Sequence, residues 1–428
     1  MFMKRKYLNL RKLTPVLVLG ASCAVQAQVS TSLNLHNGGD IYVSPNEVLS
    51  IKGAFSNTKA ATFINNGEVH FFDDFSNEGS FIFSKSTKAS KVFFEQLEAA
   101  KAKRKISGGE NTTFFEDVVF DTEGLDLTTE ITIGGKALFE RGHVVVNAPL
   151  SGAITFLDGS SIDKVSDDSH VVGFADREGK QEQVMPVGDG TYYRPIILGE
   201  SKGAKDLFQT QYKYSNPLVG RAHSEKNAIV EINNAEYWEV NSKASDAGVI
   251  LTLSWDEKTT PASLLLTPEK NLHILRWDAS SSKWEDVGGI VDVSTKTVRT
   301  PMTINTNGIF TLGTVNGDYN AEIKIYNAVS PDGDGMNDYF IIENIDKYPN
   351  NSVQIVNRWG GKVYSTNNYD RNGDGSMNVF RGEAEGKGVS SSGKLPSGTY
   401  YYIVKYEVQT ARGSEMITKT GYLHLENN

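Results

Sequence analysis

The stretch Phe63-Ile64-Asn65-Asn66-Gly67-Glu68-Val69-His70-Phe71 aligns with Phe75-Ser76-Asn77-Glu78-Gly79-Ser80-Phe81-Ile82-Phe83 at a shift of twelve residues. Phe, Asn and Gly coincide, and apolar positions then alternate. Asn-x-Gly permits a left-handed turn, and the alternation after it puts one face of a strand inward. Phe139-Glu140-Arg141-Gly142-His143-Val144-Val145-Val146 is a looser echo. Repeated turn-strand units predict a β-solenoid-like stack or a long meander over 28–165. Within it, 88–105 (including LEAAKAKRK) has the composition of a surface helix or loop.

The rest of the chain is also strand-rich. Residues 166–316 carry the alternating runs Ala235-Glu236-Tyr237-Trp238-Glu239-Val240, Val249-Ile250-Leu251-Thr252-Leu253-Ser254-Trp255 and His273-Ile274-Leu275-Arg276-Trp277. Such spacing predicts a middle β-sandwich. Residues 319–428 form a third unit of one sandwich domain's size, ending in the strands 399–406 and 419–425. The 428 residues include 40 Gly, 20 Phe and 18 Tyr against 12 Pro, a balance that favours short strands and tight turns. The fold class is therefore all-β, with helix under about 15% against the usual third.

The N-terminus reads as a signal peptide over 1–27. Lys4, Arg5, Lys6, Arg11 and Lys12 precede a short apolar run, and Val25-Gln26-Ala27 suits signal-peptidase cleavage before Gln28. The run is too short to span a bilayer, and Pro15 interrupts it. Gly20-Ala21-Ser22-Cys23 partly fits a lipoprotein site, but Gly stands where Leu is usual. Cleavage removes five positive and no negative charges, taking the formal −9 to −14. It also removes Cys23, the single cysteine, so the mature chain has no disulfide or thiol chemistry. No basic run follows, which argues against nucleic acid as a partner.

Four segments follow one another in the last unit: SPDGDGMND (330–338), NRWGGKVY (357–364), LPSGTYYY (395–402) and KTGYLHL (419–425). Together they closely resemble the gliding-motility-associated C-terminal domain, the type B sorting module of the type IX secretion system of gram-negative gliding bacteria. The resemblance implies an Ig-like β-sandwich at 319–428 that directs export across the outer membrane. Its implied partners are the type IX machinery and an outer-membrane protein. The family often has Trp-Asp-Gly after the second motif, and Val379-Phe380-Arg381-Gly382 stands in that place here, a divergent loop. Physically, Gly398 suits a tight turn before the strand-forming Thr399 to Tyr402, and Trp359 is expected to fill a core beside the bend at Gly360-Gly361.

Two loops carry metal-ligand chemistry. Asp332, Asp334, Asn337 and Asp338 cluster hard oxygen donors in seven residues. Asp370, Asn372 and Asp374 place donors at positions one, three and five of a loop with Gly375 at six, the opening of a Ca²⁺ loop. Position twelve is Arg381 rather than Glu, so Glu383 or Glu385 would have to substitute. Plain Asx and Gly turns are the alternative reading for both.

HExxH, G-x-S-x-G and P-loop patterns are absent, and no two of the seven histidines are close in sequence. Asp117, Glu140, Asp158 and Asp189 are candidate members of a distant glycosidase pair, or ordinary surface acids. The leading expectation is a non-enzymatic adhesive or structural protein, secreted or at the cell surface, meeting an extracellular glycan or surface ligand. The rival is a secreted hydrolase acting on polysaccharide.

Overall fold

The computed structural model describes residues 34–84, 90–97, 102–109, 111, 113–147, 152–223, 229–243, 248–315, 323–386, 393–410 and 413–427. The segment 1–27, read as a signal peptide, lies outside these. Of the described residues, 52% are strand and 3% helix. The chain forms two compact units: residues up to Tyr193 with Ala204–Tyr212, and Arg194–Gly203 with Lys213–Asn428.

The first unit is a parallel β-solenoid with three faces. One face stacks Leu35–Asn37, Phe55–Asn57, Phe75–Asn77, Arg104–Gly108, Leu125–Leu127, Val144–Val146, Val171–Val172 and Val187–Gly188. The second runs from Asp40–Val43 to Ala175–Glu178, and the third from Val48–Ile51 to Ser161–Asp163. The ladders therefore continue past residue 165, the boundary expected from composition. On the second face, Leu207–Lys213 pairs antiparallel with Ala175–Glu178.

The true repeat is one coil, not twelve residues. Phe55, Ser56 and Asn57 pair in register with Phe75, Ser76 and Asn77, whereas Phe63 pairs with Phe81. The shift-twelve match superimposes two different corners, 65–67 and 77–79, that share an Asn and a Gly two residues on. At the first, the Gly67 N–H donates to Asn65 Oδ1 at 3.0 Å. Gly39 does the same to Asn37 at 3.1 Å. Neither Gly67 nor Gly79 has the left-handed backbone expected of it. A Cβ there would instead lie 2.4 Å from Glu47 O, or 2.2 Å from Ala61 O, so the neighbouring coil leaves room only for hydrogen. Gly142, in the looser echo, is left-handed at φ 77°.

Phenylalanines fill the interior. Phe55 stacks on Phe75 at 5.7 Å, Phe63 on Phe81 at 4.7 Å, and Phe71 on Phe94 at 5.6 Å. Each such buried ring contributes about 1.5–3 kcal/mol. Part of the stretch expected as helix or loop is strand: Lys91–Glu95 and Arg104–Gly108 join the ladders, because Val92, Phe94 and Ile106 are buried. Residues 98–101 lie outside the described set.

In the second unit, Ile196–Leu198, Leu251–Ser254, Thr297–Arg299 and Ile290–Asp292 form one antiparallel sheet. Ile229–Ile232, Tyr237–Ser242, Gly308–Val315, Leu272–Asp278 and Lys283–Asp286 form another. Trp238 is fully buried here, and its indole N–H donates to Arg194 O at 3.0 Å. The last region has a seven-stranded sheet. Within it, Gly413–Leu425 pairs with Gly398–Thr410 along its whole length and with Ala328–Val329 at its end. A two-stranded ladder, Lys324–Ile325 with Ile342–Glu343, packs its isoleucines into the same core.

Candidate functional site

The C-terminal region gathers the sequence motifs around one core. Phe340, Ile355, Tyr369, Phe380, Leu423 and Leu425 are all buried in it. The Tyr369 hydroxyl donates to Phe340 O and accepts the Phe380 N–H at 3.1 Å. Burial pushes its pKa well up, so it stays a protonated donor. Phe380 is thus a core anchor. Trp359 is not: it is 52% exposed on its turn, with the Arg358 guanidinium 4.1 Å over its ring. The bend expected beside it is present, Gly360 being left-handed at φ 76°. That turn lifts the indole off the sheet.

The 330–338 loop brings its acids together. One carboxylate oxygen each from Asp332, Asp334 and Asp338 lies within 4.8 Å of the others. Left-handed residues Gly333, Gly335 and Asn337 curl the loop. Its N–H groups then turn inward: Gly333 and Gly335 donate to Asp338 at 2.8 and 3.0 Å, and Asp334 donates to Asp332 at 3.1 Å. Asn337 contributes its backbone, its carbonyl accepting the Ser330 N–H at 2.8 Å. Asp332 and Asp334 remain exposed, so the cluster faces solvent.

The 370–375 loop is arranged differently. Asp370 is buried, and its Oδ1 accepts the Gly375 N–H at 2.8 Å. Burial raises its pKa. Asp374 is exposed, with its carboxyl held low by hydrogen bonds from Ser376. The Asn372 amide donates to Ser376 Oγ at 3.0 Å. Arg381, at position twelve, donates to Gly375 O at 2.6 Å, so the loop carries a cationic clasp of its own. Among the described residues, acids at metal-binding separation occur at Asp332, Asp334 and Asp338.

Two histidines distant in sequence meet in the solenoid. The His143 and His170 rings lie 4.3 Å apart. Their nitrogens are engaged by backbone: His143 Nε2 with Asp167 O at 3.1 Å, and His170 Nδ1 with Ser166 O at 2.9 Å. His170 Nε2 accepts the Gly190 N–H at 2.9 Å, which fixes a neutral tautomer. Burial pushes this imidazole down to about 4. Sequence separation hid the pair, because the intervening coil returns the chain to the same corner.

The four-motif region is the part of the chain that known families recognise. Residues 323–425 match the CHU_C Type IX secretion signal domain. The chain carries a C-terminal type IX secretion sorting domain. It is accordingly exported by the type IX machinery to the cell surface or beyond. Neither the curated proteins nor the solved structures yield a match to this chain. No described helix is long and apolar enough to cross a membrane.

Proposed function

We propose that this chain is a non-enzymatic adhesive or structural protein, delivered outward by its sorting domain, with the solenoid as the displayed surface. The observation that carries this reading is the employment of the solenoid's candidate acids. Asp117 accepts the Lys136 N–H at 2.8 Å. Asp158 accepts those of Lys180 and Gln181 at 3.1 and 2.8 Å. Asp189 caps Thr191 and Tyr192, and Glu140 pairs with Lys164. Each is a fastening of a turn or ladder. Among the described residues, the interior is filled with rings. An extracellular glycan or surface ligand is the proposed external partner, and an outer-membrane protein the proposed receiver of the sorting domain. The 330–338 loop is proposed to take Ca²⁺ on its converging carboxylates.

Two measurements test this. A glycan array and a polysaccharide hydrolysis screen on the exported protein should give binding without turnover; catalytic release of sugar would overturn it. Deleting 419–428 should trap the chain in the cell envelope. The deleted strand supplies buried Leu423 and Leu425 and is paired on both sides at its end. Equal export with and without a working type IX system would remove the sorting role.

A further inference from the structure

Three of the four motif segments of the sorting domain are in contact with the sandwich that precedes it. Arg299 makes the central contact. It lies on the inner strand Thr297–Arg299, paired with Thr252 on one side and Ile290 on the other, so its backbone is fixed. Its side chain donates to the Tyr401 hydroxyl at 3.2 Å and to Arg358 O at 2.6 Å. Its guanidinium also sits 4.9 Å over the Tyr401 ring. Tyr401 belongs to LPSGTYYY and Arg358 to NRWGGKVY. Beside them, the NRWGGKVY turn presses on the sandwich: a Cβ on Gly360 would lie 2.9 Å from both Ile250 Cδ1 and Thr303 Oγ1. From KTGYLHL, the Thr420 hydroxyl donates to Gly289 O at 2.9 Å. The fourth segment, 330–338, is mostly solvent-exposed.

We propose that the preceding sandwich occupies the motif face of the sorting domain, with Arg299 as the latch, so that the secretion machinery must displace the sandwich to read those motifs. This rests on the sorting reading above. The chemistry suits a reversible contact. It uses one cation that stacks on a ring and donates twice, a hydroxyl bond and a glycine-sized fit. Such a contact holds in the folded chain and yields to a partner that offers the same groups better bonds.

The test uses the full chain with Cys23→Ser and two exposed positions made cysteine, Ser294→Cys on the sandwich and Asn367→Cys on the sorting domain, each spin-labelled. The latched form gives one narrow inter-label distance. Arg299→Ala should broaden it, and Tyr401→Phe, which keeps the ring but loses the hydroxyl, should broaden it partly. In a type IX host, Arg299→Ala should speed the initial appearance of the protein at the surface by about fivefold. A broad distance in the parent, an unchanged distance in Arg299→Ala, or export of Arg299→Ala no faster than the parent overturns the latch. If Arg299→Ala fails to fold, the same criteria apply to Tyr401→Phe. Export that is indifferent to the type IX system instead overturns the sorting reading and leaves the distance result standing.

Discussion

The Asn57 side chain donates to Asn77 Oδ1 at 2.7 Å, one coil further along the solenoid, with both residues fully buried. Asn57 in turn accepts from Asn37 at 2.8 Å, and Asn77 donates to Thr113 Oγ1 at 2.7 Å. The result is a line of amides inside an apolar stack. Asn57→Ala should lower stability by about 1–3 kcal/mol for each amide group it orphans. Urea unfolding of the parent and variant measures this, and equal midpoints would show that the ladder adds nothing.

The coil corners make an opposite pair of tests. Gly67→Ala and Gly79→Ala each push a methyl against carbonyl oxygens of the coil below and should cost about 1–3 kcal/mol. Gly38→Ala meets nothing within 4 Å and should change stability by less than about 0.5 kcal/mol. Thermal melts that rank all three alike would remove the close-approach account.

His170 predicts an acid limb. Its pKa is about 4 folded against an ordinary 6.5, so the unfolded chain takes up the proton first. The stabilisation from keeping it neutral is complete above pH 6.5. It is lost as pH falls toward 4, by up to about 3 kcal/mol. The imidazole resonances of His170 should titrate near pH 4 in the native protein; a midpoint near 6.5 would contradict its burial.

Trp359 lies on the surface and Phe380 in the core, although both residue types favour burial. Trp359→Ala should leave stability within about 0.5 kcal/mol of the parent, while Phe380→Ala should cost about 3–5 kcal/mol. Differential scanning calorimetry on both variants decides the matter, since a large loss at Trp359 would place it in a core.

Millimolar Ca²⁺ should raise the melting temperature of the full chain through ligand linkage, and chelator should reverse it. Asp332→Asn with Asp334→Asn should abolish the shift, whereas Asp374→Ala should leave it, because Arg381 already clasps the second loop. A shift that survives in the first variant assigns the ion elsewhere.

Much of this was written in the sequence. Alternation of apolar residues exposes strands directly, and the four motifs of the last unit mark its export role. The coil length was hidden because corners of different faces share the Asn-x-Gly pattern, so 65–67 imitates 77–79 more closely than it imitates its own neighbours. Asn37, Asn57 and Asn77, evenly spaced, held the better signal. The metal loops were legible as lists of donors, but not as geometry: Asp338 and Asp370 both accept N–H groups of their own loops, and composition leaves open that the first loop also draws Asp332, Asp334 and Asp338 together while the second buries Asp370. Trp359 misleads because size argues for burial, while the turn at Gly360 decides direction.

The amide ladder and ring stack also bear on how such a chain lengthens over generations. Phe55, Ser56 and Asn57 meet Phe75, Ser76 and Asn77 as like meets like. A tandem duplication of the segment 55–74 would therefore bring its own neighbours with it on this face, the new copies of Phe55, Ser56 and Asn57 finding identical partners above and below. Reach could grow by copying, with the ends of the stack and the export address left untouched.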